Sequence, residues 1–303
     1  MTCKPPARKF FLDVGRRQLL VALGLALYGR EVAAKDADLD EDLRNLRLLD
    51  ITEKGRRFVL IVPKYQNPDQ RIPLAVLLHG LGETGDARLG AYAWVEKYGL
   101  GEAWQRMKRA PIEKTTKRGE WTDERLAEVN ADLAARPFRG MALACPHMPM
   151  PEGPPFHDAY SKWIEESLVP RCRSEARLIE SPESTYLAGV SLGGYVSLEV
   201  MTRIPHVFGA WAGVQCAFAA GVSPTYAEKL AKDGKSRALL VLTSREDKFR
   251  NVSESLDAAL TAKKLAHTFR VIPGPHDQPW LQEAGTIETL FWLDRLSYRT
   301  GVR

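Results

Sequence analysis

The sequence predicts an α/β fold: a mostly parallel sheet with helices on both faces. Apolar, β-rich runs alternate with helical patterns along the chain, the order that parallel strands with crossover helices produce. Several of those runs lack polar alternation, as strands buried on both faces do. The 303 residues are 45% hydrophobic, enough for one large core and a tight fit for two.

Taken in order, the charged stretch over 36–50 reads as a solvated lead-in helix. RRFVLIVP (56–63) and PLAVLLHG (73–80) read as strands separated by a Pro/Asn/Asp turn. GMALACP (140–146), STYLAGV (184–190), RALLVLTS (237–244) and HTFRVIPG (267–274) read as further strands. Helical spacing links Leu192, Val196, Val200 and Ile204, then Leu256, Ala259, Leu260 and Leu265, and finally Ile287, Leu290, Phe291 and Leu296. One connection is oversized. Residues 83–136 form a helical insertion that carries Tyr92, Trp94, Tyr98, Trp104 and Trp121. Two readings stand: surface helices anchored by their aromatics, or a cap whose aromatics wall a pocket.

The formal charge of +5 suggests an acidic partner until it is located. Residues 1–34 hold six Lys or Arg against Asp13 and Glu31, so the remainder carries only +1. No nucleic-acid footprint follows. The leader has a charged front, a short apolar run from Leu19 to Tyr28, and small residues at Val32, Ala33 and Ala34. That run is about half of the roughly 20 residues that span a bilayer. Arg16 and Arg17 before it resemble a twin-arginine export signal, with Gly15 standing where Ser or Thr is usual and no Lys following; an amphipathic first helix packed on the body is the alternative. The expected organisation is therefore an export signal over 1–34 and a single domain over 35–303, without a membrane span, delivered to a bacterial periplasm or secreted. Cys145, Cys172 and Cys216 remain beyond the leader, with no metal-type spacing and no pairing that sequence can choose.

The chemistry concentrates in YLAGVSLGGYVSLEV (186–200). A buried strand runs into Ser191 and an apolar-periodic helix leaves from it, so Ser191 must sit at strained backbone angles. Side chains two positions before or after would strike the turn, which explains Gly189 and Gly193. A serine hydroxyl needs a base to act as a nucleophile, and the base needs a carboxylate to orient it. His276 lies in a Gly/Pro loop directly after the last strand, whereas His79 ends a strand and suits support of the neighbouring loop. Asp247, just past LLVLTS, is the expected acid, with Glu246 as its competitor. His147, His157 and Trp163 are candidate substrate contacts.

Serine, acid and histidine in that chain order resemble the α/β-hydrolase fold, on LLHGLGETG, AGVSLGGY, LTSREDKF and PGPHD, over about residues 56–296. Within that superfamily the lead-in RRFVLIVPKYQNPDQRIPLAVLLHGLGETGD resembles the esterase group of feruloyl-type, polyhydroxyalkanoate depolymerase-like and carboxylesterase enzymes. The resemblance implies a serine hydrolase cleaving small-molecule or polymeric carboxylic esters, with no metal and no organic cofactor. It also implies an oxyanion hole from the backbone N–H groups of Leu81 and Leu192. A serine peptidase, an acyltransferase and a non-catalytic binding protein on the same frame are the alternatives. Oligomeric state, acyl group and alcohol are left open by the sequence.

Overall fold

The computed structural model describes residues 43–64, 70–234 and 237–299. Eight strands form one sheet: β1 (Leu46–Glu53), β2 (Arg56–Pro63), β3 (Leu74–Leu78), β4 (Ala142–Pro146), β5 (Thr185–Val190), β6 (Ala210–Val214), β7 (Ala238–Glu246) and β8 (Thr268–Pro275). Their spatial order is β1-β2-β4-β3-β5-β6-β7-β8. The pairs β1–β2 and β2–β4 are antiparallel and every other pair is parallel. β2 and β3 follow one another in sequence but do not pair, because β4 lies between them.

The sequence expectation fails at the amino-terminal edge. Residues 46–50, expected to end a solvated helix, open strand β1 instead. Of the rest of that expected helix, 43–45 form a turn and 36–42 lie outside the described residues, as does the expected export signal. Lys54 and Gly55 both have positive φ, 48° and 78°, which is the two-residue turn that matches the twist of paired strands. The hairpin puts Asp50 beside Arg57 at 2.5 Å, so one of the charges that suggested a helix has its partner on the neighbouring strand. β6, AWAGV, was not expected at all: its alanines and glycine carry little strand propensity, yet all five residues are buried.

Alternate residues of a strand face opposite sides. Phe58, Leu60 and Val62 join one core cluster with Leu74, Val76, Leu78, Tyr160 and Val196. Val59 and Ile61, on the other side by alternation, are equally buried, so both faces are covered. The helices around the sheet are α1 (Ala87–Glu96), α2 (Leu100–Lys108), α3 (Asp123–Ala135), α4 (Pro154–Trp163), α5 (Val169–Glu175), α6 (Leu192–Arg203), α7 (Ser223–Lys232), α8 (Arg250–Ala262) and α9 (Thr286–Arg299). Each fully buried leucine or isoleucine here contributes about 1.5–3 kcal/mol relative to exposure. Among the described residues no helix is long and apolar enough to cross a membrane.

The oversized connection supplies α1, α2 and α3. α1 lies on β2 and β4, and α2 lies on α9. Trp94, Trp104 and Trp121 are buried in that packing, and Tyr92 donates its hydroxyl to Asp50 at 3.1 Å. Tyr98 alone of the five aromatics reaches the cavity described below. Cys145, Cys172 and Cys216 are free thiols, all buried, and burial pushes each of them up in pKa.

Candidate active site

The carboxyl ends of parallel strands are where α/β sheets place their sites. β5 ends at Val190 and α6 begins at Leu192, leaving one residue to reverse the chain. That residue, Ser191, has φ 55° and ψ −118°, a left-handed conformation that costs a non-glycine residue on the order of 1–3 kcal/mol. The turn is held from β6: Ser191 N–H donates to Val214 O at 2.8 Å, and Ala217 N–H donates to Ser191 O at 3.0 Å. The glycines fit the steric argument. A Cβ on Gly189 would lie 2.1 Å from Gly193 O, and one on Gly193 would lie 2.3 Å from His79 O.

The predicted serine, histidine and acid meet. His276 follows β8 directly, and its Nε2 lies 3.0 Å from Ser191 Oγ. Its Nδ1 lies 2.8 Å from Asp247 Oδ1, and Asp247 follows β7 directly. The carboxylate only accepts, so the proton sits on Nδ1 and the Nε2 lone pair faces the serine hydroxyl. Burial alone would raise the Asp247 carboxyl. Hydrogen bonds from His276, the Phe249 N–H and the Thr243 hydroxyl outweigh it and hold the group below the usual carboxylate range. Glu246, the sequence competitor, instead accepts the Gly274 N–H at 2.6 Å, so it fastens the β8 end.

Ser191 and His276 open into a cavity of about 500 Å³, shared with Leu81, Leu192, Tyr98, Phe218, Phe249 and Leu281. Both residues expected to supply oxyanion donors therefore border the same space as the serine. Leu192 opens α6, where the helix dipole favours negative charge. His147, His157 and Trp163 are not among the cavity's lining residues. His147 stacks on His79 with ring centres 5.8 Å apart and bonds Thr84 O at 3.1 Å. His157 is buried against Tyr195, its Nε2 3.2 Å from the hydroxyl. Trp163 donates to Glu53 O at the β1–β2 hairpin and packs on Phe58.

His79 has a defined part in the loop that carries Leu81. Its Nδ1 donates to Gly80 O and its Nε2 accepts from Met148 N–H, both at 2.8 Å. The Met148 N–H needs an unprotonated Nε2, so the pair of contacts requires the neutral ring, and burial pushes its pKa down to about 4. The unfolded chain takes a proton on this side chain below about 6.5, where the folded chain does not. Stability therefore falls as pH drops from about 6.5 towards 4, by about 3 kcal/mol from this one group. Urea denaturation at several pH values tests it: His79→Gln should be less stable at pH 7 and lose that part of the pH dependence. A wild-type protein equally stable at both ends of the window would contradict it.

Gln215 was not singled out by sequence. It follows β6 with φ 46° and is 1% exposed. Its amide donates to Ser244 Oγ at 2.6 Å and to Pro275 O at 3.0 Å, and so ties the residue before His276 to β7. Arg118 holds the other side of that loop through Asp277 at 2.8 Å. Neither tie has a local sequence signal, since each joins segments far apart in the chain.

No family model matches the chain, and no curated protein matches it. Solved structures do. A ferulic acid esterase superposes with TM-score 0.62 at 16% identity, over 83% of this chain and 98% of that one. The S-formylglutathione hydrolase of Staphylococcus aureus gives TM-score 0.55 at 15% identity, over 82% and 96%. The feruloyl esterase module of Clostridium thermocellum, complexed with sinapinate, gives 0.56 at 13% identity, over 84% and 87%. With the sheet order, these likenesses define an α/β-hydrolase fold.

Proposed function

We propose that the chain is a serine hydrolase that cleaves carboxylic esters through an acyl-enzyme. The observation that carries this reading is the continuous hydrogen-bond chain from Ser191 Oγ through His276 to Asp247. Ser191 attacks the ester carbonyl while His276 Nε2 takes the hydroxyl proton. Asp247 stabilises the imidazolium that forms. The negative oxygen is received by the Leu81 and Leu192 N–H groups, each worth about 2.7–4 kcal/mol in comparable sites. His276 then protonates the leaving alcohol. In the second half it draws a proton from water, which attacks the acyl group and releases the acid and Ser191.

The solved structures of like fold support esters as the substrate class, because those with which this chain superposes include ferulic acid esterases. The paired Arg16 and Arg17 and the short apolar run behind them support export, with residues 1–34 as the signal. Nitrophenyl esters of increasing acyl length test the reading. The expected result is a burst of one nitrophenol per protein chain followed by steady turnover on at least one ester. No burst and no turnover across the panel is the result for a binding protein and would end the proposal.

A further inference from the structure

Gly80 is gripped from two sides. His79 Nδ1 donates to its carbonyl at 2.8 Å, and its N–H donates to the Tyr98 hydroxyl at 3.0 Å. The Gly80 carbonyl belongs to the same planar peptide as the Leu81 N–H, and the two point in opposite directions across it. Whatever fixes Gly80 therefore aims the Leu81 N–H. The grip on the carbonyl side is His79. The grip on the amide side comes from the segment between α1 and α2, far away in sequence.

Tyr98 is 3% exposed and stands edge-on to Trp94, with ring centres 5.4 Å apart. Its hydroxyl donates to Glu83 Oε2 at 2.6 Å, and Glu83 is 5% exposed. A phenol has one proton. With that proton committed to Glu83, the oxygen must present a lone pair to the Gly80 N–H. Burial and the Glu83 carboxylate both push the Tyr98 hydroxyl up in pKa, so it keeps its proton. Packing leaves little play: a Cβ on Gly80 would lie 3.2 Å from the Tyr98 oxygen and 3.8 Å from Ser191 Cβ. Gly80, Glu83, Tyr98 and Ser191 all border the cavity.

We propose that Tyr98, oriented by Glu83, is a positioning residue that fixes Gly80 and thereby aims the Leu81 N–H at the oxygen on which charge develops. The inference rests on the ester-hydrolysis reading above. Neither side chain touches the reacting atoms in this scheme, so substrate binding should be largely spared and transition-state stabilisation should suffer.

The test compares Tyr98→Phe, Glu83→Gln and Glu83→Leu on one nitrophenyl ester, with inhibition by an aryl trifluoromethyl ketone as a mimic of the tetrahedral state. In Tyr98→Phe, kcat should fall roughly 10–100-fold with little change in KM, less than the 10²–10³ lost when a donor is removed outright. The ketone should weaken by the same factor as kcat/KM. Glu83→Gln keeps an acceptor for the phenol and should stay near wild type, whereas Glu83→Leu should fall with Tyr98→Phe. Should Tyr98→Phe fail to fold, the two Glu83 variants carry the comparison. An unchanged kcat in Tyr98→Phe, a loss confined to KM, or equal activity in the two Glu83 variants would overturn the inference. The wild-type burst in the same assay reports separately on ester hydrolysis itself.

Discussion

Ser191→Ala is expected to fold like the wild type and to lose ester turnover by a factor on the order of 10⁴–10⁶. The reason for intact folding is local. Alanine keeps a Cβ at φ 55°, so backbone strain is unchanged, and among the described residues the hydroxyl's hydrogen-bond partner is His276. The loss is large because the hydroxyl that His276 Nε2 faces is removed. Asp247→Asn should lose less, about 10²–10⁴, since the imidazole stays in place but its preferred tautomer and its charged form are less well supported. The ordering of these two variants in kcat, with unfolding midpoints measured alongside, checks the assignment. Equal turnover in Ser191→Ala and wild type would remove Ser191 from the chemistry.

A large loss of stability is expected at Gly193, whose neighbours belong to a different strand. A methyl group there would lie 2.3 Å from His79 O and 2.6 Å from Leu78 O. Both are backbone atoms at the end of β3, buried between β4 and β5, and they cannot swing aside as a side chain would. Overpacking usually costs about 1–3 kcal/mol, and this position belongs at or beyond the upper end of that range. Gly193→Ala should therefore lose about 3 kcal/mol or more in denaturant titration. Relief of the contact by moving β3 would also displace the Gly80–Leu81 peptide, so the folded fraction should be slow as well. Gly221→Ala is the control, because a Cβ there meets nothing within 4 Å. Matching midpoints for the two variants would mean that the turn around Ser191 is looser than its contacts indicate.

The two effects share a cause, which is why this part of the molecule was legible in sequence. A strand that turns into a helix over one residue leaves a local trace: Gly189 and Gly193 around Ser191, apolar residues before, helical spacing after. His276 and Asp247 were readable because each lies directly past an apolar run that is a strand. The hydrogen bonds that complete the site are different in kind. Tyr98 to Gly80, Gln215 to Pro275 and Arg118 to Asp277 join residues whose neighbours in sequence say nothing of the partner. β1 was misread for a related reason. Its charges look like a solvated helix until Arg57, on the neighbouring strand, is known to reach Asp50 diagonally. β6 escaped because alanine and glycine have weak preferences, and the sheet around it decides the matter. His147 and His157, expected as candidate substrate contacts, bond instead to Thr84 and Tyr195.

The proposed mechanism requires Ser191 to be a nucleophile activated by His276. Reaction of the full chain with a fluorophosphonate probe, followed by peptide mapping, measures that directly. The expected result is one adduct per chain, on Ser191, formed far more slowly in His276→Ala and absent from Ser191→Ala. An unlabelled protein, or an adduct on any other residue, would contradict it.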